Sequence, residues 1–454
     1  MYTKGFTLMA LAMSLSLFSC SNDEPEPTPN PDNNGGGDEN TETSLYPEGS
    51  IVWKEDTTVI LKDHFLVDKD KSLYIEQGAK IIADNADKKP EIVVLGNMYC
   101  MGTAEKPVTF TVADAYKTDR FSRMWGGIIC GYDSKEVLLS HAIVEYCGAQ
   151  TTEESLSFQY KLFKTETGEG VPAFHFCNVD GQFVIKDCVF RNNAEDQIYI
   201  TGGKSIVTNN LFYSNGFDGG EAINYKSGCQ ADICYNVIYD ANTNGFKLSN
   251  SGLSANIPAS HLVIYNNTIV NSGWRRPSKK GGSIWLEANI YADLYNNLIA
   301  DCRWGMKHST SEMEDVNSVL TPNYYFASTD AGVGQMTANE EDGILGFGTD
   351  IKSASAGDKD PMFVNFKQQS DININVGGNA EGAPAEYNEA WDFHLQVGSP
   401  ALKGGKTDFE RLYATTAIEF SGLKTDNASS QFFPVSASYM TLPPSEFFGA
   451  YGVK

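Results

Sequence analysis

Between Phe183 and Ser309 the apolar and polar positions repeat one short pattern five times: FVIKDCVF (183–190), SIVTNNLF (205–212), ADICYNVI (231–238), LVIYNNTI (262–269) and ADLYNNLI (292–299). The second polar position of the phrase falls on Cys188, Asn210, Asn236, Asn267 and Asn297, at steps of 22, 26, 31 and 30 residues. That period belongs to a solenoid, in which no coil buries its apolar side without the next. A further strand follows each phrase at a matching place: QIYIT (197–201), AINYK (222–226), GFKLS (245–249), SIWLE (283–287) and GMKHS (305–309). Side chains alternate between the faces of a strand. The second and fourth residues of each therefore point inward: Ile198 and Ile200, Ile223 and Tyr225, Phe246 and Leu248, Ile284 and Leu286, Met306 and His308.

A coil of roughly 22 residues with two or three strands predicts an all-β fold, a right-handed parallel β-helix. The Asn column predicts amides bonded to the copies above and below, as in other in-register stacks. The frame Leu-x-x-Leu-x-Leu of a leucine-rich repeat is absent.

Alternation begins near Val52 and is punctuated by Gly in SLYIEQGAKIIA (72–83) and EIVVLGNMYCMGTAEKPVTFT (91–111), with Trp125-Gly126-Gly127-Ile128 following. VLLSHAIVEYCG (137–148) fits the same frame with Ala142 in the Asn column, and the polar stretch 149–170 is a long loop leaving the stack. The period fades after Ser309, where Asp360-Pro361-Met362-Phe363, Trp391-Asp392-Phe393-His394-Leu395, Gly398-Ser399-Pro400-Ala401 and Phe448-Gly449-Ala450-Tyr451 occur. Together the opening and later motifs resemble the pectate-lyase-like β-helix superfamily, which implies one β-helix domain over 51–454. Its regular coils would span about 52–310, with closing coils and a cap over about 311–454. These motifs report architecture and leave chemistry to the site.

The first twenty residues read as an export signal, with Lys4 followed by an apolar run from Leu8 to Phe18 too short for a stable membrane span. Leu17-Phe18-Ser19-Cys20 resembles the lipobox of bacterial lipoproteins, which implies lipidation of Cys20 and a membrane contact through that lipid. Residues 21–50 hold eight acidic residues and no Lys or Arg, the composition of a disordered tether. Ser21-Asn22-Asp23-Glu24 resembles the acidic signals that send some lipoproteins to the outer face of the outer membrane. The eight remaining cysteines form no Cys-x-x-Cys and no Cys/His cluster, so zinc is not expected; they read as small buried side chains, with a Cys229–Cys234 disulfide as the alternative.

With 34 basic against 58 acidic residues, the chain is unsuited to nucleic acid. Residues 183–310 depart from this balance, carrying eleven Lys/Arg against ten Asp/Glu. Outward positions of the second strands run Tyr199, Asn224, Lys247, Trp285, Lys307 and, two residues on, Thr201, Lys226, Ser249, Glu287, Ser309. The loop SGWRRPSKKGG (272–282) adds Trp274, Arg275 and Arg276. A cationic, aromatic strip suits an extended anionic polymer, because Arg forks pair with carboxylate or sulfate. Lys and Arg are also ordinary exposed residues of a sheet face.

The expected partner is therefore a complex, acidic polysaccharide bound on one β-helix face. The superfamily resemblance implies a lyase as the alternative, with Lys247, Arg275 or Arg276 as the catalytic cations, Lys247 being the base. Substrate would lie against Tyr199, Asn224, Lys226, Trp274, Trp285, Glu287 and Lys307. Ca²⁺, the cofactor of such a lyase, would be held by Asp218 and Glu221 in NGFDGGEA (215–222); both are equally ordinary turn residues beside Gly. A hydrolase needs paired carboxylates, and the outward columns hold only Glu287. A third possibility is an adhesin or surface protein in which the solenoid is a spacer.

Overall fold

The computed structural model describes residues 45–162, 166–217, 219–276, 281–367, 387–424 and 433–454. The export signal, Cys20 and the tether up to Ser44 lie outside them, as do Asp218, Lys279 and Lys280. At the end of the expected tether the chain is already packed: the Tyr46 ring lies tilted against Tyr74 with centroids 4.8 Å apart, and its hydroxyl donates to Glu76.

Each regular coil contributes one strand to each of three parallel sheets, of nine, eleven and nine strands among the described residues. Within one coil these are Gly203–Thr208, Leu211–Asn215 and Ile223–Tyr225, and the next coil lays Cys229–Cys234, Val237–Ala241 and Phe246–Ser249 on them in register. This is the right-handed parallel β-helix that the pattern predicts. The inward pairs from Ile198 to Leu286 are buried in one continuous core. His308 is the exception. It pairs in register with Leu286 at the end of the third sheet, but is only half-buried and bonds Glu314 at 2.7 Å.

The Asn column is a ladder at the corner between the first and second sheets. Asn210 Nδ2 donates to Asn236 Oδ1 at 2.9 Å, Asn236 to Asn267 at 3.0 Å, Asn267 to Asn297 at 2.9 Å and Asn297 to Asn323 at 3.0 Å. Each Oδ1 also accepts the backbone N–H of the column residue before it, as Asn236 does from Asn210 at 3.0 Å. Cys188 and Ala142 continue the file: the Ala142 N–H donates to Cys188 Sγ at 3.3 Å. The residue just before each ladder Asn turns the corner in the left-handed region: Asn209 (φ 56°), Tyr235 (58°), Asn266 (51°) and Asn296 (58°). Asn is the non-glycine residue best suited to that conformation, which is why the phrase reads Asn-Asn three times. All eight cysteines described are free and buried, so Cys229 and Cys234 form no disulfide.

Beyond Ser309 the second sheet continues through Tyr324–Phe326 and Ile351–Lys352. The following chain covers the outer faces of two sheets. Phe363, Phe366, Phe393 and Phe448 pack on Tyr239, Leu298 and Tyr324 of the second sheet. Tyr413, Phe420 and Phe433 pack on Tyr74, Tyr99 and Leu138 of the first. Two buried carboxylates fasten this cover. Glu136 accepts from the Ser421 hydroxyl (2.7 Å) and N–H (3.0 Å), and Asp232 from Leu412 N–H (3.0 Å), Tyr413 N–H (2.8 Å) and the Thr441 hydroxyl (2.6 Å).

Among the described residues, cover on the third sheet lies over its first coils. The excursion 149–170 lays Leu156 and Leu162, with Val171 just after it, on Leu66, Val93 and Ile129, pinned by Glu91, which accepts from the Ser157 N–H (2.9 Å) and hydroxyl (2.7 Å). From His175 onward the outward face of the third sheet carries open clefts.

Replacing Asn236 by Ala removes two donors and one acceptor that serve Val207 O, Asn267 Oδ1 and the Asn210 N–H inside the stack. Each stranded buried group costs about 1–3 kcal/mol. Denaturant titration of Asn236→Ala should show a loss of about 3 kcal/mol or more, against a change within about 0.5 kcal/mol for Lys204→Ala on the exposed surface.

Candidate functional site

The outward column of the third sheet exists as a file of paired residues: Tyr199 beside Asn224, Asn224 beside Lys247, Lys247 beside Trp285, and Trp285 beside Lys307. His175 precedes Tyr199 in the same file. The file is less open than a free cationic strip. Trp285 is buried, and its indole N–H donates to Glu287 Oε2 at 2.8 Å, so it offers no stacking platform. The other oxygen of Glu287 stands 3.5 Å from Lys247 Nζ. Lys307 Nζ lies 4.4 Å from the centre of the Trp304 ring.

The loop cations belong elsewhere. Arg275 is 2 % exposed; its guanidinium donates to Asp240 Oδ2 (3.0 Å), Gly216 O (2.7 Å), Asn215 O (2.5 Å) and Asp240 O (2.8 Å). An arginine so enclosed holds a corner of the coil and meets no substrate. Trp274 is likewise buried, its indole N–H donating to Asp301 O at 2.8 Å. Arg276 is half-buried and donates to the Thr243 hydroxyl at 3.0 Å. Neither arginine shares a cleft with Lys247, so the expected catalytic grouping of Lys247 with Arg275 or Arg276 is not formed.

Lys247 instead lines a cleft of about 210 Å³ with Asp196, Tyr199, Glu221, Asn224 and Lys226. Asp196 Oδ2 accepts from Asn224 Nδ2 at 2.8 Å, and Oδ1 from the Glu221 N–H at 2.9 Å. Glu221 Oε1 accepts from Asn244 Nδ2 at 3.1 Å. Burial and the neighbouring Glu221 carboxylate, to which it is hydrogen-bonded, push the Asp196 carboxyl well above its ordinary range. Hydrogen-bonded carboxylates stand closer than the roughly 5 Å that separates the pair of a retaining glycosidase. Among the described residues no group of three or more His, Cys, Asp or Glu is gathered to hold a metal. Glu221 is turned to Asp196 and Asn244.

The two lysines of this cleft titrate in opposite directions. Lys226 is 8 % exposed; burial, and then the neighbouring Lys247 charge, lower its amine to about 8. For Lys247 burial acts the same way, but Glu221, Glu287 and Asp196 outweigh it and raise the amine above its ordinary value. Lys226, rather than Lys247, is therefore the side chain able to lose its proton near neutral pH.

A second cleft, of about 770 Å³, opens on the other side of Tyr199 and Lys226, which line both. His175 forms part of its floor; burial lowers it to about 4, and Nδ1 lies 2.7 Å from Tyr199 O.

Sequence reading of the outward strands passed over Asp196, Asn244 and His175. Asp196, Glu221 and Asn244 stand two residues before the first inward residues Ile198, Ile223 and Phe246. The aligned strands thus already held a polar column one step upstream of the positions considered.

Residues 45–342 match the family model of the pectate-lyase-like β-helix domain, and the chain belongs to that family. The crystal structure of pectate lyase Pel9A aligns with a TM-score of 0.39 at 12% identity, over 82% of this chain and 86% of that one. No curated protein matches the sequence.

With its side chains carrying isotopically labelled methyl groups, Lys226 should titrate near 8 by NMR, and Lys247 above the ordinary lysine value. Removing the like charge in Lys247→Met should move the Lys226 midpoint upward. Folded Lys226 is deprotonated above about 8, whereas the unfolded amine keeps its proton to about 10.5, so the unfolded chain binds more protons in that window. Its burial therefore lowers stability at pH 7, and the penalty fades as pH rises from about 8 to 10.5.

Proposed function

We propose that this protein binds an acidic polysaccharide on the outward face of its third sheet and cleaves it by β-elimination, with Lys226 as the base. One observation carries the reading: a buried lysine lowered to about 8 stands where two clefts meet, one coil from a lysine that stays charged. Elimination from a uronate needs a base for the proton beside the carboxylate, a charge facing that carboxylate and a proton for the departing oxygen. Neutral Lys226 takes the first proton. Lys247, held by a 3.5 Å ion pair that a second carboxylate can enter, faces the uronate. The proton that the raised Asp196 carboxyl keeps passes to the leaving glycosidic oxygen, and solvent exchange returns Lys226 and Asp196 to their starting states. Cys20 carries the lipid that holds the protein on the outer membrane, its glycan face toward the exterior.

The pairing of Lys247 with Glu287 favours a second reading, retention of the polymer without turnover.

Incubation with polyuronates should release unsaturated products, seen by the ultraviolet absorbance of the new double bond. The rate should rise with pH through about 8 and fall about 10²–10⁴-fold in Lys226→Met. Retention of polyuronates in affinity gels with no product would leave binding alone. A flat pH profile, or full activity in Lys226→Met, would remove Lys226 from the chemistry. In a separate experiment, Cys20→Ala should abolish incorporation of labelled palmitate and release the protein from the membrane fraction; unchanged membrane retention would contradict the anchor.

A further inference from the structure

The larger cleft differs in chemistry from the acid-and-lysine cleft it adjoins. Its walls present the rings of Tyr132 and Tyr199 and the apolar side chains of Cys177, Val179 and Ile257. Tyr132 is 61 % exposed, a large aromatic face left in water at the mouth. Many of the polar atoms of the floor are already used within the protein. Asn178 Nδ2 donates to Ser134 O at 2.9 Å, and Oδ1 accepts from the Asp180 N–H at 3.0 Å. The Ser227 hydroxyl donates to Ser251 O at 3.0 Å, and the Cys177 thiol to Cys130 O at 3.4 Å. Lys161, Asp180 and Lys226 also line the cleft, but a ring bearing only hydroxyls would leave the aromatic and aliphatic wall between them without an apolar partner. A ring bearing a methyl or acetyl group would bury apolar surface instead.

The cleft is built by the fold. It lies past the C-terminal ends of consecutive third-sheet strands, between the excursion 149–170, which contributes Lys161, and the turn after Ser249, which contributes Ile257. That turn is closed by reciprocal bonds of 3.2 Å between Ser254 and Ile257. At about 770 Å³ the cleft lies within the range of sites that enclose a ligand of several rings. Its continuity with the lysine cleft through Tyr199 and Lys226 makes the occupant a neighbouring unit of the same polymer.

From these features we infer that the larger cleft is a subsite for a sugar carrying a methyl or acetyl substituent, next to the uronate, so that the substrate is a mixed polymer rather than a homopolymer of uronate. The inference rests on the reading of the lysine cleft as the uronate site, but it concerns the neighbouring unit.

The test compares the full chain on two probes: a polygalacturonate homopolymer and a polymer alternating galacturonate with a 6-deoxyhexose. Cleavage is followed by product absorbance and binding by affinity gel. Val179→Asp and Ile257→Asp, both at half-buried positions, place a charge in the larger cleft; circular dichroism and thermal midpoints check that they fold. The alternating polymer should be preferred by about tenfold or more in kcat/KM, and the preference should shrink to about twofold in either folded variant. Equal use of both polymers, or a preference untouched by both variants, overturns the subsite and leaves the lyase reading standing. Tighter retention of the alternating polymer without cleavage, lost in the variants, keeps the subsite and removes the lyase. No retention and no cleavage of either polymer overturns both.

Discussion

A buried amide that bonds to the coil on either side of it fixes the vertical position of every other side chain in its coil. The file Asn210–Asn236–Asn267–Asn297–Asn323 does this at one corner, with the left-handed residue just before each member setting the direction in which the next strand leaves. Coils here differ in length by up to five residues between successive positions of this ladder, yet the strands on all three sheets pair without slipping. The extra residues are absorbed in the turns. A slip of one residue would exchange the inward and outward sets of a strand, burying Lys247 and exposing Phe246 or Leu248. The ladder is thus what keeps a lysine of one coil next to an acid of another.

Register also explains why the acidic chain gathers lysines and acids on this face. The first two sheets are clothed by the returning C-terminal residues, and the excursion 149–170 clothes the start of the third. What remains is a stretch where charged side chains are close-packed and partly dry. In such a place charged and polar groups pair, Glu287 with Lys247 and Asp196 with Glu221. On the proposed reading such a face would take a carboxylate by exchanging it into an existing pair, whereas a solvated cationic strip would act through a general, salt-screened attraction.

The fold was readable because it rests on two short-range regularities, the alternation within strands and the Asn-Asn corner, and both recur at a fixed place in each coil. The file from Tyr199 to Lys307 followed from them. The partners of that file did not. Asp196 and Glu221 stand just ahead of the third-sheet strands, in alignment but outside the alternation that marks which side chains face outward. Trp274 and Arg275 misled for a related reason. In a polar loop with four cations they read as exposed, but Asp240, the left-handed residue of the preceding coil, waits at that corner with two carbonyls of the coil before it. A carboxylate inside an apolar strand phrase, VIYDA, was the sign that some cation had to be buried against it.

Lys226 and Lys247 show how finely the surroundings divide two residues of the same type. They stand one coil apart and feel the same acids, so composition and charge count cannot separate them. Depth does: Lys226 lies at 8 % exposure, whereas Lys247 keeps Glu287 within ion-pairing distance and is held charged by three carboxylates. Each then shapes the other, since a Lys247 that stays protonated is one of the reasons Lys226 does not. A base and a fixed cation side by side is the arrangement that proton removal next to a carboxylate requires. Here it follows from depth and from a single glutamate placed one coil away.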